Sequence, residues 1–290
     1  MQKIINFITP DNYILNGMYS GPEKAQSVFI FVHGFTASMF SVEILGDYFQ
    51  SNNFGVMSFN NRGFGYISKI RKLDPESDKK YKSVSIGGAH EVFTECVNDI
   101  DGAINWAIEN KFKNIYLVGH STGCQKIVYS ASKLQDKYKE LKALILLAPI
   151  SDMAATRNLV PKRVINKAYK YAEKQIQKGK PHQLLPEKLW EGVIDAQRFI
   201  SLNDQSSEEE IFCYSQENKT PKTLKSIKLP IIAIVGENDQ FLDRSAEELM
   251  IWFKDNLKVG DGTSIIRDTD HGFTAKEKET SEVINKFLRY

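Results

Sequence analysis

Cysteine is scarce in this 290-residue chain. The three present, Cys96, Cys124 and Cys213, are odd in number, widely spaced and without a Cys-x-x-Cys pair. That argues against a disulfide framework or a zinc-thiolate site, and a reducing, cytoplasmic setting is the simplest expectation. An excess of charge of one sign is missing too, since 38 Lys and Arg against 36 Asp and Glu leave a formal +2. Such a balance is too near neutral to expect nucleic acid or an anionic membrane as main partner. Long apolar runs are absent. Leu144 to Ala148, one of the longest, falls far short of the roughly 20 residues that cross a bilayer, so no membrane span is expected. Met1 to Pro10 is broken by Asn6 and Pro10 and has no small-residue cleavage site, so it reads as a strand and not as a signal peptide. With only 18 Gly and 9 Pro, the chain is neither fibrous nor low in complexity.

What is there is alternation. Short β-branched or aromatic runs take turns with longer amphipathic stretches, which is how a mostly parallel sheet with helices on both faces looks in sequence. Continuous apolar runs mark buried parallel strands at Ser27 to Val32, Val56 to Phe59, Ile115 to Val118, Ala143 to Leu147 and Ile231 to Val235, with a weaker one at Ser264 to Arg267. Ile4 to Ile8 and Tyr13 to Tyr19 flank Pro10-Asp11-Asn12 and predict an edge hairpin. Helices are expected over about Val42 to Ser51, Glu91 to Glu109, Cys124 to Leu134, Ala246 to Phe253 and Lys276 to Leu288.

The alternation stops after Ile150 and resumes near Leu229. The polar, helical stretch between is too long for a loop and predicts a helical lid over 152–226, inserted into a core formed by 1–151 and 227–290. Pro161 is placed to open one lid helix and Pro186 another, the second carrying Leu189, Val193, Ile194 and Ile200. Eight lysines and arginines against two glutamates between Pro161 and Lys188 suit either an anionic substrate or, more simply, a solvated helix face. Ile67 to Val84 reads as another long polar, lysine-rich insertion that could rim a pocket.

The most informative segment is Ile115 to Gly123, an apolar strand running into Gly119-His120-Ser121-Thr122-Gly123 and then a helix. A serine in such a tight strand-to-helix turn projects at a helix N-terminus, where free amides favour developing negative charge. The simpler alternative is a glycine-bounded turn whose serine only caps the helix. Here the chain resembles the alpha/beta-hydrolase superfamily of serine hydrolases, from Ser27 to the C-terminus, and the resemblance implies that fold and an ester hydrolase activity. It implies Ser121 as nucleophile. The strand before His33-Gly34-Phe35 leads into what looks like the oxyanion loop, implying the backbone amides of Phe35 and Thr122 as oxyanion donors. Asn60 to Gly65 resembles the superfamily's D-x-R-G-x-G segment with Asn60 in the acidic position, and Arg62 there has an architectural role.

A serine hydroxyl needs a base, and the base an acid to orient it. His271, in Asp270-His271-Gly272-Phe273 after a late strand, is where the superfamily places the base. Gly236-Glu237-Asn238-Asp239 matches its acid turn, which selects Asp239 with Asp243 as runner-up. His33, His90, His120 and His182 are not expected to act as base. No P-loop, His-Glu-x-x-His or dinucleotide fingerprint is present, so no cofactor and no metal are implied. The expected partner is a small-molecule ester, and nothing in the sequence sets an oligomeric state. Finer likenesses are to siderophore-ester hydrolases and to cinnamoyl and feruloyl esterases. Amide or thioester cleavage would use the same triad, and a non-catalytic ligand-binding protein could keep the same fold. Trp190 and Tyr171, in the lid, could line an acyl site or pack the lid onto the core.

Overall fold

The computed structural model describes residues 2–45 and 53–288. Its strands are β1 (Gln2–Ile8), β2 (Tyr13–Ser20), β3 (Ser27–Val32), β4 (Phe54–Phe59), β5 (Ser68–Leu73), β6 (Tyr81–Ile86), β7 (Asn114–His120), β8 (Leu141–Leu147), β9 (Ile231–Gly236) and β10 (Gly262–Ile266). Helices are α1 (Cys96–Glu109), α2 (Thr122–Leu134), α3 (Asp152–Leu159), α4 (Lys162–Gln177), α5 (Ala196–Asn203), α6 (Lys222–Lys225), α7 (Ala246–Asn256) and α8 (Glu277–Phe287). One sheet runs β10-β9-β8-β7-β3-β4-β2-β5-β6, with β1 also paired to β2. From β10 to β4 the strands are parallel, and β2, β5, β6 and β1 extend the sheet with antiparallel pairs.

Period-two alternation divides β3 between the two cores. Val28, Ile30 and Val32 face a cluster containing Ile100 and Ile104 of α1, Ile127 of α2 and Leu249 of α7. Phe29 and Phe31 face the other side, where Ile284 of α8 packs with Val118, Ile145 and Ile234. Every residue of β3 is therefore buried, which is why this strand is a continuous apolar run. The chain passes from β3 to β4 on one side and returns through β7 on the other. Loops leaving the C-terminal ends of β3 and β7 diverge at that reversal, where open α/β sheets place their sites.

The expected parallel strands and the edge hairpin are present, with ends shifted by a few residues. Three expectations need correction. The polar insertion from Ile67 to Val84 is largely the hairpin β5-β6, whose alternation of Ile70 inward with Lys69 and Arg71 outward was hidden by its exposed lysines. The helix expected from Glu91 begins only at Cys96, after a 3-10 turn over Phe93–Glu95. No helix opens at Pro186. The amides of Leu189 and Trp190 both bond the Pro186 carbonyl in a turn, Gly192 follows at φ 104°, and α5 starts after the Asp195 cap. Of the helix expected from Val42 to Ser51, a 3-10 turn over Met39–Leu45 is described, and 46–51 lie outside the described residues.

Between β8 and β9 come α3 to α6, with strand-like pairing only at the bridge between Leu184 and Asp195 among the described residues. On α4 the lysines are exposed while Ala168 and Ala172 are buried, so its charge is a solvated face. A buried chain of charges crosses from this segment into the core. Lys126 of α2 pairs with Glu91 at 2.6 Å, Glu91 with Arg198 of α5 at 3.1 Å, and Arg198 with Glu209. Burial alone would raise the Glu91 carboxyl, but Lys126 and Arg198 hold it below its ordinary value.

Removing one partner of such a group leaves uncompensated charge in a low dielectric. Arg198→Met should cost roughly 3–5 kcal/mol, measured by urea unfolding. A loss below about 1 kcal/mol would mean that the network contributes little to holding the segment down.

Candidate active site

The turn from β7 into α2 is closed by backbone contact. A Cβ on Gly123 would lie 2.1 Å from the Val32 carbonyl oxygen, and one on Gly119 would lie 2.5 Å from that of Gly123, so neither position admits a side chain. Ser121, between them, is forced to φ 55° and ψ −127°, a strained conformation of the kind found at functional sites. Its amide donates to the Leu147 carbonyl at 2.9 Å. The Ser121 side chain makes no capping bond to α2, which removes the simpler reading of this serine as a helix cap.

After β3 the chain folds back onto that turn. A Cβ on Gly34 would lie 2.9 Å from Ser121 Cβ and 3.0 Å from the His120 carbonyl. Phe35 follows immediately. Thr122 is the first residue of α2, whose leading amides have no intrahelical acceptor. His33 is fully buried, bonds the Gly34 carbonyl through Nδ1 at 2.9 Å and accepts the Asn61 amide at Nε2, 3.2 Å. Burial, helped by nearby Lys126, lowers its pKa to about 3. It is a neutral brace for the loop. Arg62 pairs with Asp99, Asp11 and Glu95 at 2.7, 2.8 and 3.0 Å, in keeping with an architectural role.

Asp239 follows β9 and His271 follows β10. His271 Nδ1 and Asp239 Oδ2 are 2.7 Å apart, with the Asp239 side chain shielded from solvent. The other carboxylate oxygen accepts the Phe241 amide at 2.9 Å, and the Phe241 ring meets the His271 ring edge-on at 4.7 Å. Asp243 instead pairs with Arg244 at 2.9 Å. Asp270 accepts the amides of Gly272 and Thr274 at 3.0 and 3.1 Å and so shapes the loop that carries His271.

One contact was not foreseen. His120 Nε2 donates to the His271 carbonyl at 2.9 Å, with the rings 5.0 Å apart, tying the loop after β10 to the turn from β7 into α2. Burial and the neighbouring His271 lower the His120 pKa to about 4. The middle residue of Gly-x-Ser gives no sequence signal of this job.

Trp190 and Tyr171 are half-buried in a cluster with Ala168, Ile194 and Phe199. The Trp190 ring stands edge-on to Phe199 at 4.8 Å. Phe35 belongs to the same cluster, and the Arg198 guanidinium lies 5.5 Å from its ring. The inserted segment thus touches the loop beside Ser121. His90 and His182 both bond Asp195 through Nδ1.

A sequence family described as "Protein of unknown function (DUF1749)" matches residues 81–290. The putative esterase/lipase 2 of Mycoplasma genitalium is 26% identical over 160 residues, which are 55% of this chain and 51% of that relative. The chain therefore spans about half the length of the curated relative it matches. Among solved structures, the Pyrococcus furiosus esterase Pf2001 gives a TM-score of 0.59 at 19% identity, over 100% of this chain and 90% of that one. Est1E of Butyrivibrio proteoclasticus, solved with ferulic acid bound, gives 0.64 at 17% identity, over 98% and 97%. These likenesses show the fold, that of the alpha/beta hydrolases.

The buried histidines set an acid limit on stability. In the unfolded chain both take up a proton as pH falls through 6.5, whereas folded His33 resists to about 3 and His120 to about 4. The unfolded state therefore binds more protons between those values, so stability is complete above the upper one and lost on acidification. Buried Asp99, raised to about 6, and the raised carboxyls of Asp152 and Glu210 act with the opposite sign, so the test is a comparison: the urea midpoint of the wild type should fall more between about pH 7 and about pH 5 than that of His120→Gln. An identical pH dependence in the two proteins would contradict neutral burial of the His120 ring.

Proposed function

The chain belongs to the DUF1749 family, whose description names no activity, and we propose that it is a serine hydrolase cleaving a carboxylic ester through an acyl-enzyme. The observation that carries this reading is the 2.7 Å contact between His271 and Asp239, joined through His120 to the turn that strains Ser121. Pf2001, an esterase of the same fold, supports it.

In this reading His271 Nε2 takes the Ser121 hydroxyl proton as Oγ attacks the ester carbonyl carbon. Asp239 accepts the Nδ1 proton, fixing the tautomer and stabilising the imidazolium. The carbonyl oxygen gains the electron pair, and the Phe35 and Thr122 amides donate to it. Collapse expels the alcohol, which takes the proton from His271. Water then repeats the sequence and releases the acid. The segment 152–226 serves as a lid, with Phe35 as its point of contact with the chemistry. Trp190 and Tyr171 are assigned to packing that lid before any direct contact with the acyl group.

Ser121→Ala should lower hydrolysis of short activated esters by roughly four or more orders of magnitude, with an unchanged circular dichroism spectrum. His271→Ala should match it, while Asp243→Asn should stay near wild type. Turnover by Ser121→Ala at a comparable rate would reject the nucleophile. Trp190→Ala should lose about 3 kcal/mol of stability and keep the same order of acyl-length preference. A reordered preference at unchanged stability would move Trp190 into the acyl site.

A further inference from the structure

His90, His182 and Asp195 converge from three separate segments. His90 precedes α1, His182 follows α4, and Asp195 caps α5. The Nδ1 atoms of the two histidines lie 2.9 and 2.8 Å from the same oxygen, Asp195 Oδ2, and the three donor atoms all fall within 4.8 Å of one another. Among the described residues this is the one such group of histidine, cysteine and acidic side chains. The rings do not stack. They meet at 76° with centroids 6.1 Å apart, each turning its Nδ1 edge to the carboxylate.

We propose that these three side chains bind one divalent transition-metal cation of the zinc class, which staples the inserted helices to the core. Two imidazole nitrogens and one carboxylate oxygen form a donor set that suits zinc, cobalt and nickel better than calcium or magnesium. Around a tetrahedral ion, ligand atoms about 2.0–2.1 Å from the metal lie roughly 3.3 Å apart, so metal uptake requires the 2.9 and 2.8 Å nitrogen-to-oxygen separations to open by roughly half an ångström, within reach of the exposed His182 ring. The carboxylate is held as metal-ligating carboxylates are, by an outer partner. Asp195 is fully buried, and its Oδ1 accepts the Arg198 amide at 2.8 Å, leaving Oδ2 to face the histidines. The His182 side chain is 57% exposed, which gives an ion a path in and water a place in its remaining coordination positions.

The site also lies on an existing seam. The Asp195 amide donates to the Ala89 carbonyl at 2.9 Å, and Gln197 Nε2 donates to the Glu91 carbonyl at 3.0 Å. An ion there would fasten His90, on the core side, to His182 and Asp195 on the inserted side. The sequence implies no metal because its ligands are scattered, with no His-x-x-x-His or Cys-x-x-Cys spacing to reveal them. This inference does not depend on the ester hydrolase reading.

The competing arrangement is the two rings each donating Nδ1–H to one carboxylate oxygen, with no ion. Titration of the chelator-treated full chain with zinc chloride, and separately with cobalt(II), distinguishes the two. We expect one ion bound per chain, visible cobalt d–d absorption and a melting temperature that rises with zinc concentration. His182→Ala, at an exposed position, should keep the metal-free melting temperature, weaken zinc binding about tenfold or more and abolish the cobalt spectrum. His271→Ala, which removes the other histidine–aspartate pair, should leave zinc binding intact. No uptake by the folded wild type, or equal affinity in wild type and His182→Ala, overturns the proposal.

Discussion

The site depends on a steric constraint, the packing of the Gly123 backbone against the Val32 carbonyl. A side chain there would sit 2.1 Å from that oxygen, so β3 and β7 can lie side by side with their following loops touching only because the position is glycine. That contact leaves Ser121 strained at the C-terminal edge of the sheet. It also brings Gly34 against the serine, with Phe35 the next residue along that loop and Thr122 the first residue of α2. Asp239 and His271 come from β9 and β10, further along the same edge, and the His120 bond to the His271 carbonyl spans the gap. Chain distance is large at every step, yet each loop emerges from a neighbouring part of one parallel array.

A second layer of organisation is electrostatic. The inserted helices rest on the core partly through an apolar cluster that includes Phe35, and partly through the buried run of Lys126, Glu91, Arg198 and Glu209. Lys126 also donates to Asn61, which in turn bonds the His33 carbonyl. Charges that hold the insertion in place thus connect to the loop beside the serine. A buried ionic chain of this kind adds little net stability over apolar packing, but it penalises any other docking geometry. Catalysis needs such fixed geometry, since donors misplaced by a fraction of an ångström lose much of their effect.

Legibility in the sequence followed burial. Strands β3, β7, β8 and β9 are covered on both faces over most of their length, so each carries a run of apolar residues that stands out, even though Lys142 of β8 is exposed. The hairpin β5-β6 is exposed on one face, and its lysines and serines made it look like a loop. Pro186 looked like a helix start, but a helix there would have had to run through Gly192, and the Asp195 cap begins α5 instead. For Ser121 the flanking glycines were the signal, whereas Asp239 and His271 were named through the superfamily resemblance, and the fold brings those two within 2.7 Å of each other. Asp239 and Asp243 could not be separated from spacing, since only the fold reveals that Arg244 occupies the second. Glu91, Lys126, Arg198 and His120 were invisible for a similar reason. Their partners lie far away in sequence, and no local pattern encodes a long-range ion pair.

The central claim is that Ser121 is a nucleophile activated by His271 and Asp239. The most direct measurement is to treat the protein with a fluorophosphonate, digest it and locate the adduct by mass spectrometry. The account predicts one phosphonyl group per chain, on the peptide containing Ser121, and none on the His271→Ala protein at the same exposure. Absence of any adduct on the folded wild-type chain, or labelling of a different residue, would contradict it.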